Sequence, residues 1–357
     1  MNAPTTAIHF SGTGNSYRAA RWFADRATGP VDVIPMSEID PATFVPPGPG
    51  GIVALFFPVH FFTAPAAVIL FALSLPPGRG GGTVVVATRG ALRRRGRILS
   101  GWEGTAAWLI ALILRLKGYP LRGVTGIDMP SNFTLIHPPC DAETAAAILD
   151  RGRTQLEAFA RPIVDGRSKR TGLLRGALGL FAAPVSIFFL LFGRYWLAKT
   201  FFASARCGGC ALCRDRCPTA SVAIDPDDGI PFWRHTCAVC LRCLAFCPKH
   251  AIESGYGIGL LTAAVILLPV PSYILTGVAM AFPAASGAPG PAALLTVGYL
   301  WGVAAIFLVY RSLHRLMRRP GLRYLLFLFS ATRRLGRYRE PTVVVEDLGG
   351  CRKPEGG

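Results

Sequence analysis

The amino-acid sequence predicts an α/β fold, a doubly wound parallel sheet, followed by a small α+β cysteine-rich domain and a two-helix transmembrane hairpin. Three observations predict this order. Strand-like and helix-like stretches alternate from Thr6 to Ile163, the pattern of a parallel sheet covered on both faces. Eight of the ten cysteines lie between Cys207 and Cys247, in two runs of the same spacing. Ser254 to Tyr310 is 57 residues without Asp, Glu, Lys, Arg or His.

Composition agrees with a membrane-bound chain. Of 357 residues, 51% are hydrophobic and only 16% charged, and the mean hydropathy is positive. The formal charge of +18 is uneven, with nine arginines and no acid from Arg311 to Arg339. That distribution matches juxtamembrane basic flanks held on the cytoplasmic side. No nucleic-acid-binding motif accompanies the charge, so no nucleic-acid partner is expected. No basic stretch followed by an apolar core opens the chain, so no cleavable leader is expected, and the soluble parts belong in a reducing cytoplasm.

Thr6–Phe10 reads as a short buried strand that runs into Ser11-Gly12-Thr13-Gly14-Asn15-Ser16, and a helical pattern follows from Tyr17 to Ala27. Strand, loop of hydroxyls and glycines, and helix together offer backbone N–H groups and a helix N-terminus to a phosphate. No Lys follows the glycines, which excludes a nucleoside-triphosphate P-loop. Tyr17 stands where a dinucleotide fingerprint needs its third glycine, which weakens that reading. A phosphate cradle of Ser11, Thr13, Asn15 and Ser16 remains, suited to a terminal monoester such as that of FMN; an ordinary tight turn is the alternative.

Further strands are expected at Val31–Pro35, Gly51–Phe57, Thr83–Thr88 and Gly123–Met129, and helices at Ala64–Leu75, Thr105–Lys117 and Ala142–Ile163. The ligand of such a sheet lies at the C-terminal edge, where the strand order reverses. Three loops are expected there: the cradle, Pro58-Val59-His60-Phe61-Phe62, and Thr88-Arg89-Gly90-Ala91. His60 and Phe61 are candidates to stack on an isoalloxazine ring, and Arg89 to stabilise an anionic reduced flavin. Arg93-Arg94-Arg95-Gly96-Arg97 reads as a solvated face, or one that touches anionic lipid or an acidic partner.

The cysteines form two copies of C-x2-C-x2-C-x3-C-P, the run that holds cubane iron–sulfur clusters in bacterial-type ferredoxins, where the fourth cysteine of each run serves the other cluster. Cys207, Cys210, Cys213 and Cys247 would then hold one 4Fe–4S cluster, and Cys237, Cys240, Cys243 and Cys217 the other. Structural zinc sites pair two separated C-x2-C units and fit three successive x2 spacings poorly. Disulfides would need an oxidising compartment. Cys140 and Cys351 have no expected role.

The segment Ile8–Ser16, Phe57-Pro-Val-His-Phe61, Met129-Pro-Ser-Asn-Phe133 and the double cysteine run together resemble the flavodoxin–ferredoxin fusion proteins called EFR-type ferrodoxins, over roughly residues 5–253. The resemblance implies a flavodoxin-like FMN-binding domain over 1–165 and a ferredoxin-type domain with two 4Fe–4S clusters over 201–254. It also implies electron transfer, with partners mostly unassigned in that family; a redox protein partner or a membrane electron donor or acceptor is expected here. Two features depart from the family. Many relatives carry Tyr where His60 stands and a Thr-Tyr-Gly-Gly type loop where Thr88–Ala91 stands, and most end soon after the second cysteine run.

Between these units, in 166–200, Leu173–Trp196 is apolar and long enough to span a bilayer. A single crossing would separate flavin from clusters, and basic residues flank both ends, so a bent interfacial or domain-packing helix is expected. The uncharged stretch cannot be one helix, because 57 residues would reach roughly 85 Å against a hydrocarbon core of ~30 Å. The expected break is Phe282–Pro291, which gives helices Ile258–Ala281, kinked at Pro269 and Pro271, and Ala292–Tyr310 in a hairpin over 255–311. A buried soluble hairpin is the alternative. The remainder, 312–357, is expected to hold an interfacial helix near Tyr324–Ser330 against membrane lipid and a polar, disordered tail ending in Gly356 and Gly357.

The expectation is thus an electron-transfer protein of a bacterial inner (cytoplasmic) membrane, its redox domains on the cytoplasmic side, relaying electrons between FMN and two clusters. A terminal reductase of a quinone or other lipid-soluble substrate and a flavin-free cluster-containing sensor or membrane ferredoxin are the alternatives. No paired carboxylates, hydrolytic triad or nicotinamide fingerprint points to another active site.

Overall fold

The computed structural model describes residues 4–27, 29–281 and 290–350. Its first unit is a sheet built from β1 (Thr5–His9), β2 (Val31–Pro35), β3 (Ile52–Pro58), β4 (Gly82–Arg94) and β6 (Leu121–Pro130), with α1 (Asn15–Ala24), α2 (Ala66–Ser74), α3 (Ala106–Leu116) and α4 (Ala142–Val164) between and after them. The strands are parallel in the order β2-β1-β3-β4-β6, which is the flavodoxin-like doubly wound order with its reversal between β1 and β3. A two-residue strand, β7 (Lys169–Arg170), adds to the β6 edge.

Both faces of the sheet are dry, which is why β3 is an unbroken apolar run. Alternate side chains serve opposite faces. Ala54 and Phe56 join Trp22 and Phe23 of α1 and Phe159 of α4. Val53, Leu55 and Phe57 join Val68 of α2 and Ile110 of α3. Asp141 starts α4 by accepting the Thr144 N–H at 2.7 Å, an ordinary N-cap.

Arg93, Arg94, Arg95 and Arg97 are exposed, as a solvated face should be, and a hairpin carries them. β4 continues to Arg94 and turns back through Arg95 (φ 49°) and Gly96 (φ 76°) into β5 (Arg97–Leu99). Two successive left-handed residues make the tight hairpin turn whose twist suits antiparallel strands. The density of charge hid the strand pattern.

α5 (Leu173–Ala198) is continuous but irregular. Its first part lies on the sheet unit, where Ser186 Oγ donates to the Phe61 carbonyl at 2.9 Å. Its last turns lie on the later helices, where Trp196 Nε1 donates to the Gly259 carbonyl at 3.3 Å and the Tyr299 hydroxyl to the Leu191 carbonyl at 3.1 Å.

The cysteine-rich unit consists of two antiparallel pairs and two short helices. β8 (Phe201–Ala203) pairs with β11 (Ile252–Ser254), and β9 (Val222–Ile224) pairs with β10 (Pro231–Trp233). α6 (Leu212–Asp215) and α7 (Arg242–Ala245) each carry the third cysteine of a run. Trp233, Phe201, Val222 and Leu244 form a small core with Cys217 and Cys237.

α8 (Tyr256–Ile266) and α9 (Val270–Ala281) are separated by a break at Leu267–Pro269, and α10 (Pro291–Leu316) returns alongside them. The expected turn lies mostly outside the described residues. α10 runs six residues beyond the expected end at Tyr310, because nothing before Pro320 breaks it. Its end packs on the cysteine-rich unit, where the Tyr310 hydroxyl accepts the Trp233 N–H at 2.9 Å and the His314 ring lies 5.6 Å from Phe232. Three helices, Leu173–Ala198, Tyr256–Ala281 and Pro291–Leu316, are long and apolar enough to cross a membrane.

α11 (Pro320–Leu328) and α12 (Ala331–Leu335) follow. The chain from Arg337 to Gly350 does not trail away. It packs back on the first unit and on α7, with Glu340 1% and Leu348 0% exposed. The expected terminal tail from Cys351 to Gly357 lies outside the described residues.

Candidate functional site

At the reversal between β1 and β3, the glycine-rich loop is folded into the protein. Ser11 Oγ accepts the Gly14 N–H at 3.2 Å, Ser16 and Thr88 share a hydroxyl hydrogen bond of 2.8 Å, and Asn132 Nδ2 donates to Thr13 Oγ1 at 2.8 Å. Asn15 donates to the Pro130 carbonyl at 2.9 Å and accepts from the Tyr338 hydroxyl at 2.9 Å. A cavity opens here between Ser11, Gly12, Thr13, Asn15, Ser16, Pro58, Thr88, Arg89 and Gly90. Val59, Met129, Pro130 and Asn132 complete its wall. Nine of the twelve residues expected around a flavin therefore converge, while Gly14, His60 and Phe61 stand outside the lining.

The other side of the loop is closed by two segments far along the chain. A Cβ placed on Gly12 would lie 1.7 Å from the Cys240 carbonyl oxygen, so loop and second cysteine run are in direct contact. The Arg242 guanidinium donates to the carbonyls of Ser11 at 2.7 Å, Arg216 at 2.9 Å, and Leu348 and Gly349 at 3.0 Å each. The strap after α12 adds the Glu340 N–H, which donates to the Thr13 carbonyl at 2.8 Å. Neither closure was legible in sequence; the apolar Val343–Val345 and Leu348 within the supposed polar tail were the available signal.

Three ring-binding expectations are corrected by the geometry. Phe61 is already stacked, its ring 4.4 Å from Phe189 of α5 at 16°, with Phe133 edge-on at 5.4 Å. His60 faces Phe189 edge-on at 6.2 Å, and burial pushes its imidazole down to about 4. Arg89 has no spare charge, because its Nε meets Asp128 at 2.7 Å and its Nη1 meets Glu103 at 2.5 Å. Burial opposes that guanidinium's charge, but the two carboxylates outweigh burial and raise its pKa. The hydroxyls lining the cavity are of the kind that can bind a phosphate, whereas the ring position beside Phe61 is taken by Phe189.

The two cysteine runs repeat each other in conformation as well as spacing. Left-handed residues recur thirty positions apart: Gly209 and Val239 (φ 71° and 54°), Ala211 and Leu241 (57° and 64°), Ala220 and His250 (50° and 47°). Five of these six are not glycine, and such strain persists only where the surroundings impose it. The Ser221 N–H donates to Cys217 Sγ and the Ala251 N–H to Cys247 Sγ, both at 3.2 Å. Such bonds tune a metal-bound sulfur.

All described cysteines are free, and the eight divide into two groups. Cys213 has Cys207, Cys247 and Cys210 as its charged neighbours, and burial followed by those neighbours pushes its thiol up to about 12. Cys237 has Cys240 and Cys217, and Cys243 has Cys237 and Cys240, with Cys213 of the other group further off; burial is the main cause of their raised pKa. Each group thus ends with the fourth cysteine of the other run. Among the described residues no three His, Cys, Asp or Glu side chains converge on a single metal ion. A cubane spreads its four thiolates round a core larger than a single ion. Spacing, strain and N–H···S bonds fit such a core.

No protein-family model and no curated protein matches the chain. Among solved structures, it is similar to a flavodoxin from the domain Archaea, at 16% identity and a TM-score of 0.29 over 45% of this chain and 98% of that one. A short-chain flavodoxin associated with a non-canonical PDU bacterial microcompartment shows 14% identity and a TM-score of 0.31 over 46% and 99%. An FMN-dependent NADH-azoreductase from Bacillus anthracis shows 9% identity and 0.25 over 45% and 99%. The flavodoxin-like assignment of the sheet unit rests on its strand order.

Proposed function

We propose that this chain is a membrane-anchored electron-transfer protein in which Cys207, Cys210, Cys213 and Cys247 hold one 4Fe–4S cluster, and Cys217, Cys237, Cys240 and Cys243 a second. The observation that carries the reading is the thirty-residue repeat of left-handed turns with an N–H···S bond to the last cysteine of each run. Such clusters exchange single electrons, and a flavin, where bound, converts between one- and two-electron exchange. The chain's own residues supply the setting. Ser221 and Ala251 amides donate to the sulfurs of Cys217 and Cys247, while Trp233, Val239 and Ile252 keep water from the interior.

FMN would be held at its phosphate end by Ser11, Thr13, Asn15 and Ser16, with Thr88 and Asn132 beside them. Electrons would then pass between this site and the clusters, to or from a redox protein or a membrane-soluble donor or acceptor. The hairpin and the basic helix α11 would fix the protein to lipid at the cytoplasmic face of a bacterial inner membrane. Phe189 on Phe61 and the neutralised Arg89 favour a second reading, a flavin-free membrane ferredoxin or redox sensor.

The test is anaerobic extraction and purification, with iron, acid-labile sulfide and flavin counted per chain. About eight irons with about one FMN supports the relay, about eight irons alone supports the flavin-free carrier, and fewer than about four irons overturns the two-cluster proposal.

A further inference from the structure

Only three Lys or Arg side chains among the described residues are buried: Arg89, Lys199 and Arg242. Arg89 meets two carboxylates. The other two meet none. Lys199, 2% exposed, donates to the Trp233 carbonyl and lies over the rings of Tyr310 at 4.2 Å, Phe307 at 5.1 Å and Phe232 at 5.3 Å. Arg242, 3% exposed, gives its hydrogen bonds to four backbone carbonyls. Carbonyls and ring faces satisfy donors but do not cancel charge, and a buried charge without a counter-charge is strongly disfavoured.

The placement of the pair identifies the missing anion. Arg242 stands on α7 between Cys240 and Cys243, and Lys199 meets Trp233, which shares one core with Cys217 and Cys237. Together they address all four members of one group. The cavity of the other group is lined by Arg216, Lys249 and Arg242, of which only Arg242 is buried, and Arg214, beside Cys213, is half-exposed and pairs with Asp215 at 2.8 Å, so Lys199 is the buried cation that serves the second group alone.

We propose, on the basis of the two-cluster reading, that Lys199 and Arg242 are the counter-charges of the cluster at Cys217, Cys237, Cys240 and Cys243, and raise its electron affinity above that of the other cluster. Reduction adds one electron, and so one negative charge, to a cluster. Cations held out of water favour that product, since their field is little screened. The first electron taken up therefore rests at the second group. That group lies between the glycine-rich loop, which Arg242 reaches at Ser11, and membrane helix α10, which Lys199 meets at Phe307 and Tyr310.

The experiment is an anaerobic potentiometric titration of the full-length protein in detergent, with dithionite as the electron donor and electron paramagnetic resonance as the readout. The native protein is expected to show two one-electron steps. Lys199→Gln keeps a donor for the Trp233 carbonyl and removes the charge, so the higher-affinity step should weaken by about tenfold, which is about 59 mV for one electron. The lower step should stay in place, Lys199→Arg should restore the native value, and Lys169→Gln, exposed on β7, should move neither. An unmoved higher step, or movement of the lower step alone, overturns the inference while leaving two clusters intact. Absence of two cluster signals in the native protein refutes the underlying reading and this inference with it. If Lys199→Gln does not assemble, the native titration still decides: steps separated by at least about tenfold support the inference, and coincident steps overturn it.

Discussion

A single methyl group at Gly12 tests whether the first unit and the second cysteine run form one site. Its Cβ would fall 1.7 Å from the Cys240 carbonyl oxygen and 3.0 Å from the Cys240 Cβ. Backbone cannot give way as a flexible side chain can, so Gly12→Ala must push loop and cysteine run apart. The expected cost is about 2–4 kcal/mol of stability, read as a lower denaturation midpoint and faster loss of iron. Gly48→Ala, with nothing within 4 Å of the added carbon, should stay within about 0.5 kcal/mol of native.

His9 supplies the pH dependence. It is 1% exposed with neither ring nitrogen hydrogen-bonded, and burial, then the charge of Arg242, lowers its imidazole to about 3. The unfolded chain takes up a proton below about 6.5, whereas the folded chain resists it, so stability is complete above that pH and declines as pH falls toward 3. His60, lowered to about 4 by burial, acts in the same direction. Denaturation midpoints should therefore drop between about pH 6.5 and 4. His9→Phe should flatten part of that slope; an unchanged slope would remove His9 as its source.

Among the elements, those written as apolar periods were legible and those written across charge were not. β2 has the bounds read from sequence, and α4 differs by one residue at its end. The loop Ser11–Ser16 declared itself because hydroxyls and glycines between strand and helix have few other uses. β5 was hidden by arginines, and the last turns of α10 by the habit of ending a membrane helix at its first charge, here Arg311. What sequence could not carry was which element covers which. The apolar face of α5 was plain, but nothing local to Phe189 or Phe61 announces that they stack. That contact yields a prediction. Phe189→Ala frees one face of Phe61, and removing a competing aromatic pair worth about 1 kcal/mol should tighten FMN binding about fivefold, measured from flavin retained after reconstitution. Unchanged retention would exclude Phe61 as the ring's seat.

At the scale of the whole molecule, the contacts require both units to share one side of any membrane that the apolar helices cross. α8 begins directly after β11, and Gly255 bridges to Ser330 beyond α11. Buried Glu253 of β11 ties the same ends together: its carboxylate meets Arg206 at 2.5 Å, Arg337 at 2.9 Å and Ser330 Oγ at 3.1 Å, with Thr332 beside them. Both flanks of the hairpin therefore return to the cysteine-rich unit. That unit touches the first unit at Gly12 and Ser11, contacts that no ~30 Å hydrocarbon layer could separate. If α5 crossed alone, those contacts and the Arg337–Gly350 strap would all have to break. The expected outcome is that tags at the two termini are both cleaved by protease in inverted vesicles and both protected in right-side-out ones. Cleavage of only one would mean that α5 crosses, and would dissolve the joined site on which the proposed electron exchange between the two units rests.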